Sequence, residues 1–208
     1  DVMMPRMNGY ELCKTIKEDI AISHIPVILL TAKDDKQSLI SGYKNGADGY
    51  LSKPFEVEML MELIRNRLKN REYTKKRYLN AGLIPTPEES TISLTDETFL
   101  IKLNSIIQEN IDNTNLGIQF ICQEVGLGRS SLYNKLKALT GMGANEYISK
   151  LRIEKAITLI SGTDMPFSEI AEKTGFTTPS YFSTTFKQYT GETPSQYKER
   201  KKKGLTDQ

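Results

Sequence analysis

The chain has 208 residues, of which 38% are hydrophobic and 26% are charged, and its formal net charge is +2 at pH 7. These values are typical of a globular protein with two domains, and a charge this close to zero argues neither for nor against a nucleic-acid partner. The longest apolar run, residues 25–32, is far shorter than the roughly 20 residues that span a bilayer, so we expect no membrane contact.

The cysteines and the histidine of the chain do not form a pattern that is typical of a catalytic or metal site. Cys13 and Cys122 lie far apart, and each falls on the apolar face of a predicted helix, so we expect buried free thiols in a reducing compartment. His24 is the single histidine and is expected to be a loop residue before a strand. No catalytic Ser-His, Cys-His or metal pattern is present, so the chain is predicted not to be an enzyme.

Strand and helix patterns alternate over residues 1–79. The apolar strand at 27–31 is followed by a helix, the strand GYLS at 49–52, and a long helix over 56–79. This alternation predicts a parallel α/β sheet whose strands are covered on both faces. The last helix carries an apolar stripe that should cover the sheet before the helix projects away.

Three segments of this region, DVMMPRMNG, ILLTA and GADGYLSKPF, resemble in order and spacing the second half of a response-regulator receiver domain. The resemblance implies a truncated doubly wound parallel sheet. It also implies Asp1 as the phosphoacceptor, Thr31 and Tyr50 as the switch hydroxyl and aromatic residue, and Lys53 as the cation that contacts the phosphoryl group. A carboxylate nucleophile needs such a cation and hydroxyl beside it to stabilise the oxygens of the acyl phosphate.

Complete receivers hold Mg²⁺ with an acidic pair from a loop after their first strand, whereas this sequence begins at the phosphoacceptor. Asp34 and Asp35 are not expected to replace that pair, because they are placed to cap the helix that follows them. We therefore expect a partial receiver with no cofactor of its own, which binds Mg²⁺ poorly and is phosphorylated poorly. The parent protein is expected to do both.

Residues 80–94 are predicted to be a linker, because two prolines and small polar residues interrupt the helical pattern. Thr95 should open the next helix, with Asp96 in its first turn, and a second domain should extend over 95–208. Basic residues are dense at 65–77 and 198–203. We interpret the first cluster as a solvated helix face, while the second suits either phosphate contact or a frayed tail.

The second domain ends in a helix-turn-helix pattern. A short helix over 168–174 ends at Gly175, which permits a left-handed turn. Thr178 and Pro179 then combine a helix cap with proline in the first helical position. Further apolar residues recur at helical spacing along the helix that follows.

The stretch from Gly175 to Tyr197, GF..PSYFSTTFKQYTGETPSQY, resembles the C-terminal signature of the AraC/XylS family of bacterial transcription regulators. This family implies an all-α domain with two helix-turn-helix units joined by a long helix. A second copy does lie upstream, where Gly126 precedes Gly175 by 49 residues and a helix over 129–139 follows it. The helix over 144–161 would hold the two recognition helices for successive major-groove contacts, about 34 Å apart on one face of double-stranded DNA.

The candidate DNA-contacting residues are the polar residues of the two recognition helices. Arg and Asn suit bidentate contacts with guanine and adenine, whereas Ser, Thr, Tyr and Lys suit phosphate oxygens. The first helix contributes Arg129, Ser130, Ser131, Tyr133, Asn134, Lys135 and Lys137. The second contributes Thr177, Thr178, Ser180, Tyr181, Ser183, Thr184, Thr185 and Lys187, a set with fewer means of reading guanine.

A receiver followed by an AraC-type domain resembles the C-terminal end of bacterial hybrid two-component regulators, and a free-standing response regulator fits equally well. The resemblance implies a sequence-specific transcription regulator, controlled by phosphorylation in the parent protein and partnered by a histidine kinase or an upstream kinase domain. It implies a cytoplasmic location, which includes the cytoplasmic end of an inner-membrane sensor, and leaves homodimer formation open. The alternative is a phosphotransfer or protein-docking module in which DNA binding is secondary.

Overall fold

The computed structural model describes residues 1–32, 36–81 and 93–204, and does not describe the side chains of residues 36–39, 74 and 76–81. The elements within these ranges are α1 (Gly9–Glu18), β1 (Ile28–Thr31), α2 (Lys36–Lys44), β2 (Gly49–Ser52), α3 (Val57–Ala81), α4 (Leu94–Glu109), α5 (Ile118–Val125), α6 (Arg129–Thr140), α7 (Ala144–Gly162), α8 (Phe167–Lys173), α9 (Pro179–Thr190) and α10 (Pro194–Lys202). No helix within these ranges is long and apolar enough to cross a membrane.

The chain divides into two compact units. The first contains Asp1–Lys102 and Leu127–Gly141, and the second contains Leu103–Gly126 and Met142–Gln208. The first unit therefore combines the α/β region with the start of α4 and with α6. Of the predicted linker, residues 82–92 lie outside the described residues, and so do Asp34 and Asp35 with their predicted cap.

A parallel pair of strands forms the centre of the first unit. β1 and β2 pair in the register Leu29 with Tyr50 and Leu30 with Leu51. Leu29 is buried in a cluster with Cys13 of α1, whereas Leu30 is only half-buried. The expectation that the strands are covered on both faces is thus wrong for β1, where buried and half-buried residues alternate as they do in a sheet with one well-covered face.

Helix α3 extends for 25 residues and packs against α6. The predicted apolar stripe of α3 is only partly covered. Leu63 lies close above Gly49, but Val57 is 71% exposed and Leu68 is 53% exposed. The described sheet has two strands, which is too narrow a surface to cover a stripe of this length.

The second unit has an aromatic core between α7, α8, α9 and α10. Phe182 and Phe186 of α9 are fully buried, and their rings meet edge to face at a centroid distance of 5.7 Å. Phe176 and Tyr197 extend this chain of rings at either end. Such contacts add to the area that each ring buries, so they fix how α9 lies on its neighbours.

The local signals at the ends of α9 are confirmed. Thr178 caps the helix by accepting a hydrogen bond from the Tyr181 amide at 3.1 Å, and Pro179 occupies the first turn. Gly175 has a φ of +72°, and a Cβ at this position would collide with the carbonyl oxygen of Ile111. Only glycine therefore fits this turn without displacing the backbone.

Candidate nucleic-acid interface and phosphoacceptor site

The structure brings together three of the four residues that the receiver resemblance assigned. The Nζ of Lys53 lies 2.6 Å from the Oδ1 of Asp1, and both side chains are about half exposed. The backbone amide of Lys53 donates to the carbonyl oxygen of Thr31 at 2.6 Å, which places the buried Thr31 at the same strand ends. A carboxylate, a cation and a hydroxyl residue thus share one edge of the sheet.

Tyr50 lies elsewhere in this unit. Its ring is next to Gly42 of α2, where a Cβ would stand 3.1 Å from the ring, and it packs against the cluster that contains Leu29. The aromatic residue is therefore positioned by α2.

The described residues do not make a metal site at Asp1. Among them, no group of three or more His, Cys, Asp or Glu side chains could hold a metal ion, and the contact recorded for the Asp1 carboxylate is the Lys53 ammonium. One carboxylate with a cation beside it does not match the oxygen-rich coordination that Mg²⁺ requires. The residues present thus do not fit Mg²⁺ by themselves.

Helix α6 carries most of the first predicted DNA-contacting set on its exposed side. Arg129, Ser130, Tyr133, Asn134 and Lys137 are exposed, and Ser131 is half-buried. The helix begins after Gly128 and ends at Gly141, which has a φ of +78°. This face offers guanidinium, amide, hydroxyl and ammonium donors within three helical turns.

Lys135 is the exception on α6, and its expected outward position is wrong. Its side chain is fully buried, and the ammonium forms an ion pair with Asp96 and donates to the Oγ of Ser23 at 2.7 Å. It also lies 5.0 Å from the centre of the Phe99 ring. A lysine can stay buried in this way because a carboxylate and a hydroxyl replace its lost hydration.

Helix α9 presents the second predicted set, again with one correction. Thr177, Thr178, Ser180, Tyr181, Thr184 and Lys187 are exposed, and Ser183 is half-buried. Thr185 is only 5% exposed and lies beside the buried Phe186, so it does not belong to the outward face. The hydroxyl of Thr184 donates to the backbone oxygen of Ser180 at 3.1 Å, which leaves its methyl group and an oxygen lone pair for contacts.

Arg152 of α7 is a positioning residue that the sequence analysis missed. It is 8% exposed, and its guanidinium donates to the carbonyl oxygens of Asn113 at 2.6 Å and Ile111 at 3.3 Å. The same group lies over the Phe176 ring, 5.9 Å from its centre. Burial lowers the pKa of Arg152. One side chain thus connects the loop after α4 with the turn before α9, and a charged residue in an apolar stretch of α7 was its only sequence signal.

The two basic clusters differ in their contacts. In the first, Arg65 pairs with Glu62, as expected for a solvated helix face. In the second, Arg200 pairs with Glu192 and stacks over the Tyr197 ring, and α10 extends to Lys202. Most of this segment is therefore helical and anchored, unlike a frayed tail.

The predictions for the cysteines are partly confirmed. Cys13 is a buried free thiol, and its Sγ donates to the carbonyl oxygen of Asn45 at 3.4 Å. Cys122 is also free but only half-buried, so the burial predicted for it is wrong.

Comparison with known proteins agrees with these two regions. The family model for a response regulator receiver domain matches residues 1–65, and that for a helix-turn-helix domain matches residues 121–200. The "Probable transcriptional regulator ycf29" of Pyropia yezoensis is 31% identical over 157 residues, which cover 70% of this chain and 71% of that protein. The chain belongs to the response regulators with an AraC-type helix-turn-helix domain. The chain therefore contains the receiver and helix-turn-helix regions of a response regulator.

Two further similarities concern a longer relative and a solved domain. "Histidine kinase P4" of Formosa agariphila is 43% identical over 200 residues, which are 96% of this chain and 14% of that protein. The chain therefore spans a small part of that relative's length. The structure of the C-terminal domain of AraT, a response regulator from Geobacillus stearothermophilus, is 29% identical with a TM-score of 0.47, and covers 53% of this chain and 88% of that domain.

Proposed function

We propose that this response regulator binds a specific double-stranded DNA operator through two helix-turn-helix units, α5 with α6 and α8 with α9, which α7 joins. The proposed domains are a partial receiver over 1–79 and a DNA-binding domain over 95–208. The observation that supports this best is a repeated local design. Gly126 and Gly175 have φ values of +78° and +72°, and each precedes a 12-residue helix with an exposed polar side.

In this proposal α6 reads base edges. Arg129 and Asn134 lie on the exposed side of α6, and their side chains suit bidentate contacts with guanine and adenine. Ser130, Tyr133 and Lys137 would contact phosphate oxygens and fix the register of the helix on the duplex. The buried Lys135 has no part in this set.

Helix α9 would mainly anchor the protein to the phosphates of the DNA and would contact few base edges. Its exposed side offers Thr178, Ser180, Tyr181 and Lys187, which can donate hydrogen bonds or a positive charge to phosphates. Threonine methyl groups can also contact the thymine methyl group. The two helices would therefore differ in their roles, with specificity concentrated in α6.

The receiver half would supply control. We propose that a histidine kinase, or a kinase domain in the parent protein, transfers a phosphoryl group to Asp1. The Lys53 ammonium, 2.6 Å from the Asp1 carboxylate, would then stabilise the oxygens of the acyl phosphate, and Thr31 would respond to them from its buried position. The name of the Formosa relative favours the arrangement with a kinase domain in the same chain.

The DNA-binding proposal can be tested by selecting duplexes from a random pool with the whole chain, followed by fluorescence anisotropy on the selected and scrambled duplexes. We expect a recurring motif and a clear preference for it. Asn134→Ala should relax the preference at one position of the motif. Asn145→Ala, which removes an exposed amide from the start of α7, is the matched control and should bind like the parent chain. If no motif emerges, the protein-docking alternative becomes the better explanation.

Phosphorylation needs a separate test. We expect acetyl phosphate with Mg²⁺ to leave Asp1 unlabelled in this chain, because no group of three or more His, Cys, Asp or Glu side chains among the described residues could hold the metal there. The same chain preceded by the first three strands of a receiver should be labelled, and Asp1→Asn should abolish the labelling. Intact-mass measurement gives the result. Equal labelling with and without those strands would show that an acidic pair from them is dispensable.

A further inference from the structure

A cavity of about 760 Å³ lies within the first unit. Its wall is formed by the end of α1, the segments that precede β1 and β2, the middle of α3, residues 93–96 and the end of α6. This volume falls within the range of sites that hold small organic ligands. The phosphoacceptor Asp1 does not line it, and neither do the exposed DNA-contacting candidates of α6.

The charged groups of the wall are unbalanced. Two of its cations have carboxylate partners: Lys17 pairs with Asp48, and Lys14 pairs with Glu18. Asp96, which also lines the wall, pairs with Lys135. Three others, Lys44, Arg67 and Arg71, form no ion pair with any described residue. Unpaired cations that share a concave wall raise the local concentration of anions.

Two polar atoms at this cavity also lack partners. The Nδ1 of His24 and the Nε of Arg67 are buried, and neither forms a hydrogen bond with the part of the chain that is described. Burial, and then the charge of Lys135, lower the pKa of His24 to about 4, so its imidazole is neutral at pH 7. A buried donor without an acceptor is costly, and such a group in a native fold calls for a ligand or an ion.

We propose that this cavity binds a small phosphorylated molecule whose phosphate contacts Arg67, Arg71 and Lys44. A phosphate monoester carries about two negative charges at neutral pH and has three acceptor oxygens. A phosphate ligand therefore suits three unpaired cations better than a ligand with one carboxylate group does. Arg67 and Arg71 are one helical turn apart on α3, so both guanidinium groups face the same space.

The rest of the wall can hold the organic part of the ligand. Pro26, Leu94 and Leu139 provide apolar surface, and Asn70 and Ser93 provide amide and hydroxyl groups. Binding at this site involves neither Asp1 nor DNA, so it is independent of the proposed function.

The single histidine of the chain gives a direct measurement. Inorganic phosphate is titrated into the ¹⁵N-labelled whole chain at constant ionic strength, and the imidazole resonances of His24 are followed by NMR. We expect saturable shifts and a rise of the His24 pKa, because a bound anion next to the ring favours its protonated form. Acetate in the same range should give neither. No shift with phosphate, or equal shifts with acetate, would overturn the proposal.

Variants of α3 test whether the contact is specific. Arg67→Gln and Arg71→Gln should each weaken phosphate binding about tenfold or more, since each removes a charge-assisted hydrogen bond. Arg65→Gln removes the same charge from an exposed position paired with Glu62, and should bind phosphate like the parent chain. Unchanged affinity in both test variants would refute the site. Nucleoside monophosphates and sugar phosphates, compared in the same titration, would then identify the organic part.

Discussion

Lys135 and Asp96 form an ion pair in the interior of the first unit, where Lys135 is fully buried and Asp96 is 4% exposed. Ser23 connects the two, since its hydroxyl donates to the Oδ1 of Asp96 at 2.7 Å and accepts from the Nζ of Lys135 at 2.7 Å. Burial lowers the pKa of Lys135, while the hydrogen bond and charge of Asp96 raise it. Lys135 therefore depends on Asp96 to remain ionised away from water.

Removing one partner should therefore lower the free energy of unfolding much more than replacing both. Asp96→Ala leaves a buried ammonium without its carboxylate and should lower the free energy of unfolding by about 3–5 kcal/mol, whereas Asp96→Leu combined with Lys135→Met should lose far less. Urea unfolding monitored by circular dichroism measures both. Lys137→Ala, an exposed position on the same helix, should change stability by no more than about 0.5 kcal/mol. If the double variant loses as much as Asp96→Ala, the pair is not coupled.

Two glycines with almost the same φ should respond differently to alanine. At Gly175, a Cβ would collide with the carbonyl oxygen of Ile111 and lie 2.7 Å from the Nη2 of Arg152, whereas nothing lies within 4 Å at Gly126. Gly126→Ala should cost only the backbone penalty, about 1–2 kcal/mol. Gly175→Ala must also displace backbone, so it should cost clearly more and weaken binding to every duplex. Equal losses of unfolding free energy in the two variants would contradict this reading of the turn.

The helix-turn-helix elements could be predicted because their signals are local. Thr178, Pro179 and Gly175 act on their own turns, and they do so wherever the rest of the chain lies. The position of Lys135 could not be predicted in the same way. It is three residues after the buried Leu132 and four before the buried Leu139, so it borders the buried face. Only its partner, 39 residues away in sequence, decides that it points inward.

The receiver residues were predicted from a family resemblance and not from local sequence signals. Asp1 and Lys53 are 52 residues apart, and no periodicity connects them. The parallel order of β1 and β2 places Lys53 beside the end of β1. The amide of Val2 donates to the carbonyl oxygen of Leu30, and this bond holds Asp1 at the same edge. The coverage of the sheet could not be predicted, because the half-buried Leu30 depends on which elements lie over it.

The stability of the first unit should depend on His24 in mildly acidic solution. The pKa of His24 in the folded chain is about 4, below its ordinary value of 6.5, so the unfolded chain binds the proton more readily between these values. The contribution of neutral His24 is therefore fully present above pH 6.5 and is lost as the pH falls towards 4. In phosphate-free buffer, His24→Gln should show a shallower loss of the urea midpoint over this range than the parent chain. If the urea midpoints of the variant and the parent chain fall in parallel with pH, burial does not lower the pKa of His24.

The final prediction separates base reading by α6 from anchoring by α9. Arg129 lies exposed at the start of α6, so Arg129→Ala should cost about 1–3 kcal/mol on the best operator, relax preference at one position and leave binding to scrambled DNA nearly unchanged. Lys187 is exposed near the end of α9, and Lys187→Ala should weaken both duplexes alike and lower the salt slope by about one unit. Anisotropy titrations at several salt concentrations distinguish these patterns, with Lys102→Ala on α4 as the charge-matched control. If both variants bind both duplexes as Lys102→Ala does, these faces do not contact DNA.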